Sequence, residues 1–162
     1  MSRIAAAAML AEISKRARED PARMGEEWVP VLQAVPLFAN LSRGHLRRLA
    51  NLAQPVRFSA HTNVVRAGAR GETFYVIIDG EAIVKSPGGR TTRLGPLDFF
   101  GEMSLIDGGP RSATVEAVSD MLTMRLTRAS FLKLLSNEPA IALGLMKELV
   151  GRVRRLEASP NA

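Results

Sequence analysis

Apolar residues change their spacing twice along this chain. Residues 3–19 are rich in Ala, Glu, Lys and Arg, good helix formers, and Pro21 and Gly25 break the helical run after them. A second helical piece is predicted over 26–34, with Trp28, Val31 and Leu32 on one side. Ser42 stands where it can cap a helix over His45–Ala53, in which Leu46, Leu49, Ala50 and Leu52 fall at helical spacing. From residue 55 the period drops to two. Val56–Ser59, Thr73–Ile78 and Glu81–Lys85 alternate, separated by Gly68, Gly71, Gly80, Gly88, Gly89, Gly95 and Gly101. Thr114–Ala117 and Met121–Leu126 supply two more strands, turned at Ser119-Asp120. Helical spacing returns at Arg128. Ser130–Leu135 predicts a short helix, and Glu138-Pro139 opens a longer one, because proline is tolerated in a first helical turn. There Ala142, Met146, Leu149, Val153 and Leu156 step by four, three, four and three, and Pro160 closes the chain.

Short strands at regular spacing with glycine turns predict an antiparallel β-roll of jelly-roll type. The fold class is therefore α+β, mainly β. The roll covers about 55–127, preceded by helices and followed by two C-terminal helices over about 128–157. Residues 1–33 read as an N-terminal helical extension, 34–157 as the domain proper and 158–162 as a tail. No internal repeat is visible.

Composition narrows the function. With 162 residues the chain can bury a real core, and with no cysteine it has neither disulfides nor thiolate metal sites. No apolar run approaches the ~20 residues of a membrane span. The opening Met-Ser-Arg-Ile-Ala-Ala-Ala-Ala-Met-Leu is short and soon meets Glu12 and Lys15, so it reads as a surface helix rather than a leader. A cytoplasmic home is the simplest. The net charge of +6 raises nucleic acid as a partner, but the arginines are spread, Arg43, Arg47 and Arg48 in one region and Arg152, Arg154 and Arg155 in another. Aromatic residues are scarce and no helix-turn-helix follows the roll, so no DNA-binding element is predicted. The charge reads instead as a solvated surface that favours an anionic ligand. A cupin-like roll enzyme would need clustered His and carboxylate ligands. Only His45 and His61 exist, and they are not ligand-spaced. No nucleophile–base arrangement stands out either, so no enzymatic activity and no cofactor or metal are expected.

Residues 100–115 carry the chemistry: Phe100-Gly101-Glu102-Met103-Ser104, a short apolar turn, Gly108-Gly109-Pro110, then Arg111-Ser112-Ala113-Thr114-Val115. Arg111 is the only basic residue between Arg93 and Arg125. Its planar fork can meet two anionic oxygens at once, which lysine does less well. Free amides at the start of a helical turn over Gly101–Ser104 would point at an anion, and a glycine there permits close backbone approach.

This stretch resembles the phosphate-binding cassette of the cyclic-nucleotide-binding domains, found in protein kinase A regulatory subunits, the catabolite activator family and cyclic-nucleotide-gated channels. Ala67–Ala82, a glycine turn with an aromatic-aliphatic strand and a further glycine, resembles the family's second signature, and Leu37–Ser42 its helical lead-in. The resemblance covers about residues 34–157. It implies a regulatory module that binds cAMP, with cGMP as the second candidate. Phe100, Gly101, Glu102, Met103, Ser104, Arg111, Ser112 and Ala113 would form the site. Arg111 and the amides of Met103, Ser104 and Ser112 would take the phosphate, and Glu102 the ribose 2′-hydroxyl. A small residue after the arginine goes with cAMP in the family and threonine with cGMP; Ser112 lies between them. The resemblance also implies a last helix that moves over the base, with Leu145, Leu149, Val153 and Leu156 as lid candidates and Arg152 or Arg155 near the purine. The output would pass to a protein partner or to a homodimer formed through the terminal helices. A nucleic-acid-binding regulator of the catabolite activator type lacking its recognition helix, and a cupin-like metalloenzyme, are the alternatives.

Overall fold

The computed structural model describes residues 2–158, so Pro160 and most of the expected tail lie outside the described residues. Helix α1 (Arg3–Glu19) is capped by Ser2, whose Oγ accepts the Ala5 amide. A 3-10 turn over Gly25–Trp28 runs straight into α2 (Val29–Gln33), so the helix expected over 26–34 is split between two helical geometries. Ser42 caps α3 (Arg43–Ala50) by accepting the His45 amide. The expected His45–Ala53 segment is corrected on both sides. A cap at Ser42 starts the helix at the next residue, and the chain leaves helical geometry after Asn51 to enter the first strand.

Eight strands come next: β1 (Gln54–Phe58), β2 (Asn63–Val65), β3 (Thr73–Asp79), β4 (Ala82–Lys85), β5 (Thr91–Leu94), β6 (Phe99–Phe100), β7 (Thr114–Ala117) and β8 (Met121–Thr127). Helix α4 (Glu102–Asp107) interrupts them between β6 and β7, and α5 (Arg128–Asn137) and α6 (Pro139–Ala158) complete the chain. The strands form two four-stranded antiparallel sheets, ordered β1-β8-β3-β6 and β2-β7-β4-β5. This is the expected α+β class with its antiparallel β-roll.

Strand β3 explains how the layers stack. Five of its seven residues are buried, more than a one-sided strand shows. Phe74, Val76 and Ile78 face a large core that they share with Trp28, Phe38 and Phe131 of the helices. Ile77, one step out of phase, joins Ala82, Val115, Ala117 and Met121 in a smaller core between the sheets. Its neighbour β8 divides the same way, with Leu122, Met124 and Leu126 outward and Met121 inward. The helical layer is thus packed on one sheet, and the roll interior is left only partly filled. Leu10, Ile13 and Ala17 of α1 belong to the larger core, so the N-terminal segment shares the packing of the roll.

Trp28 is fully buried in that core. Trp28→Ala is expected to lower the free energy of unfolding by about 3–5 kcal/mol through lost transfer energy and the cavity left behind, read from urea unfolding followed by circular dichroism. A loss below ~1 kcal/mol would show that the N-terminal segment is not part of the cooperative core.

Candidate functional site

Two local devices shape the segment after β6. Gly101 takes φ 87°, a left-handed conformation, and turns the chain from β6 into α4. At the other end Gly108, also left-handed, closes α4 by donating its amide to the Ser104 carbonyl at 2.9 Å. Asp107 Oδ1 then accepts the Gly109 amide at 2.8 Å, which fixes the descent toward Arg111. The facing loop is stitched to this descent by main-chain bonds. Gly71 N–H donates to the Gly109 carbonyl at 3.0 Å, Arg111 N–H to Ala69 at 2.7 Å, and Gly68 N–H to the Arg111 carbonyl at 2.8 Å. Close approach requires Gly71, because a Cβ there would collide with the Ser104 hydroxyl and lie 2.9 Å from the Gly109 oxygen.

Arg111 is held from behind. Its Nη2 donates to the Thr73 carbonyl at 2.5 Å. Its guanidinium lies against Gly101, where any Cβ would strike Nη1. Burial pulls its pKa below the ordinary arginine value, and Tyr75 nearby acts in the opposite direction. Among the described residues no carboxylate lies within ion-pair distance of it. A half-buried guanidinium with one main-chain acceptor keeps unused donors for an anion.

A cavity of about 380 Å³ opens in front of this cation. Phe100, Gly101, Met103, Ser104, Arg111, Ser112 and Ala113 line it, so the structure brings together seven of the eight residues singled out in the sequence. Val65, Val84 and Val115 supply an apolar wall, and Asp107, Gly109 and Pro110 complete the rim. Val65 and Val84 were not anticipated, because they sit on β2 and β4, far from the motif in sequence. Their only signal is the inward phase of alternating strands. Phe100 is stacked on Tyr75, ring centroids 5.2 Å apart, and Tyr75 meets Phe58 edge-on at 5.7 Å, which stiffens the floor.

Glu102 is the eighth residue, and it does not line the cavity. Arg152 Nη1 of α6 lies 2.7 Å from its Oε1, with the Glu102 side chain 11% exposed and that of Arg152 29% exposed. The pair has ion-pair distance without hydrogen-bond alignment, so that carboxylate oxygen has a counter-charge but no hydrogen bond. Two further polar contacts hold α6: Asn40 Nδ2 donates to Glu148 Oε2 at 2.8 Å, and Arg48 pairs with Glu138 just before the helix.

The expected lid residues divide. Leu145 and Leu149 pack into the helical core, whereas Val153 and Leu156 are exposed. Arg152 reaches Glu102, and Arg155 reaches Glu148. None of them lines the cavity. A larger groove, about 590 Å³, lies along α1 and is lined by Arg3, Arg18 and several alanines. It lacks what the smaller cavity has, a half-buried cation facing the start of a helix. No group of three potential metal ligands occurs among the described residues, and no helix there is long and apolar enough to cross a membrane.

Known proteins share this architecture. A family model described as the cyclic nucleotide-binding domain matches residues 55–138. The chain is 34% identical over 122 residues to a cyclic nucleotide-gated potassium channel of Rhizobium etli, covering 75% of this chain and 34% of that one. It is 35% identical over 118 residues to a cAMP-dependent protein kinase regulatory subunit of Schizosaccharomyces pombe, covering 72% and 28%. Among solved structures, the N-terminal domain of a transcriptional regulator from Streptomyces coelicolor A3(2) superimposes with a TM-score of 0.70 at 29% identity, covering 82% of this chain and 99% of that one. The chain spans about a third of the length of the channels it matches. It belongs to the cyclic nucleotide-binding domain family.

Gly71→Ala is expected to push Ser104 and α4 away from the facing loop and to destabilise the fold by about 1–3 kcal/mol, as overpacking does. Thermal unfolding checks this, and an unchanged midpoint would show that the loop and α4 are not in firm contact.

Proposed function

We propose that this family member is a regulatory module that binds a 3′,5′-cyclic nucleotide, cAMP before cGMP, and answers by shifting its last helix. The observation that carries the reading is Arg111, a half-buried cation without a carboxylate partner among the described residues, facing a cavity floored by Gly101 and the first residues of α4. A cyclic phosphate bears one negative charge and two exocyclic oxygens, which the guanidinium fork and the free amides of Met103 and Ser104 complement. The valine wall from β2, β4 and β7 suits the apolar faces of a sugar and base. Support also comes from relatives described as cAMP-dependent or cyclic nucleotide-gated proteins.

Glu102 gives the reading its switch. For a ribose 2′-hydroxyl to donate to this carboxylate, Glu102 must turn toward the cavity and share or surrender Arg152. Occupancy at the sugar then changes a contact that holds α6 on α4. The exchange is close to balanced. A hydrogen bond to a charged group is worth about 1.5–3 kcal/mol net, and the ~3–5 kcal/mol cost of breaking a buried ion pair is reduced here because Arg152 is 29% exposed and the carboxylate can be shared. A near-balanced exchange lets a ligand move a helix without an excessive loss of affinity. Ser112 lies at the cavity edge, where its hydroxyl reads the base weakly, so cAMP is favoured over cGMP by roughly tenfold or less.

Arg111→Ala is expected to weaken cAMP binding by about 2–5 kcal/mol while the far-ultraviolet circular dichroism stays native. Calorimetry checks it, and wild-type affinity would remove the phosphate assignment. In Arg152→Ala the helix no longer competes for Glu102. cAMP is therefore expected to bind about fivefold tighter, and 2′-deoxy-cAMP with unchanged affinity. Equal changes for the two ligands would place Arg152 outside the exchange.

A further inference from the structure

We propose that the outward face of α6, continued by α4, is a docking surface for an acidic amphipathic helix of a partner protein. Eight large apolar side chains are exposed among the described residues. Seven of them lie on these two elements: Met103 and Ile106 on α4, and Leu143, Met146, Val150, Val153 and Leu156 on α6. The Arg152–Glu102 pair joins the two elements at this place. Scattered exposed leucines are ordinary, but five large apolar side chains exposed along one helix mark an interaction site.

The α6 residues are also ordered. Leu143, Met146, Val150 and Val153 step by three, four and three, the spacing of an a/d seam. They lie beside the stripe that faces the core, since Ile141 and Leu145 are buried. The helix therefore has two apolar faces, and only one of them is used. The seam runs for about 15 Å along the axis, short enough for a reversible rather than a permanent contact.

Charge selects the occupant. Lys147 and Arg154 follow Leu143 and Val150 by four residues, and each stands beside its apolar neighbour on the helix surface. Both are exposed, and among the described residues neither meets a carboxylate. The acids of the same helix are placed otherwise: Glu148 is taken by Asn40 and Arg155, and Glu157 stands where the seam ends. Against a second copy of α6 running parallel, Lys147 and Arg154 would flank Ala142 and Leu149. Running antiparallel, they would face each other. Neither arrangement supplies a counter-charge, whereas a helix with carboxylates beside its own apolar stripe supplies one for each cation.

The probe is a fluorescent three-heptad synthetic peptide with leucine at a and d and glutamate at e and g, titrated with the full chain in the absence of nucleotide. The outcome is therefore independent of whether cAMP binds. Saturable anisotropy is expected, about tenfold tighter than for the same peptide with lysine in place of glutamate. The paired charge reversal Lys147→Glu with Arg154→Glu should invert that preference, and its exposed positions leave folding intact. Val150→Glu should abolish binding of the glutamate peptide, with native circular dichroism as the control. Equal binding of both peptides, or an unchanged preference in the charge-reversed variant, overturns the proposal. A dimer in sedimentation velocity that Val150→Glu dissolves overturns it in favour of self-association.

Discussion

A positive charge kept partly out of water must be tolerated before it can be used. Arg111 is tolerated because Thr73, at the start of β3, turns its carbonyl toward the guanidinium and Gly101 leaves room beside it. Each of these needs the others. Without the left-handed glycine the chain could not leave β6 at that angle, and without β3 pinned between β8 and β6 the acceptor would not be in place. The cation then stands at the mouth of a roll whose interior core is smaller than that of the helical layer, and the cavity beside that core is open to a ligand. Desolvation without a counter-ion disfavours the charged form, and an arriving anion reverses that disadvantage.

Much of this was legible in the residues, because the strongest signals are local. Gly101 and Arg111 sit within one unbroken stretch, and the glycine turns and the helix starts at Ser42 and Pro139 depend only on near neighbours. What stayed hidden was short or long-range. Strand β5 is Thr-Thr-Arg-Leu and β6 two phenylalanines, too brief to show a period, and β2 breaks its register between Asn63 and Val65. They become strands because β4, β3 and β7 offer them edges. The valine wall belongs to the same class, since the inward side of Val65 and Val84 is set by pairing with β7.

Glu102 shows a different limit. The family resemblance marked it as the acceptor for a sugar hydroxyl, yet the structure turns it toward Arg152, fifty positions later. No local rule predicts that competition, because it depends on how α6 lies across the molecule. The position of α6 is set in turn by Ile141 and Leu145 in the core and by Glu148 held by Asn40. The lid candidates divide for the same reason, with Leu145 and Leu149 packed and Val153 and Leu156 exposed. Helical spacing shows that a stripe is apolar, but two stripes on one helix need the neighbouring layer to tell which is buried.

Strand β3 serves as a party wall between two rooms. One side bears the aromatic core of the helical layer, the other the smaller core to which Phe100 and the valine wall of the cavity also belong, and a change on one side is felt on the other. A substitution chosen to reshape the cavity will therefore be felt by the N-terminal helices, and one that loosens those helices will alter the cavity. Changes on the two sides are tied together through this seven-residue strand and through β8 beside it, which divides in the same way.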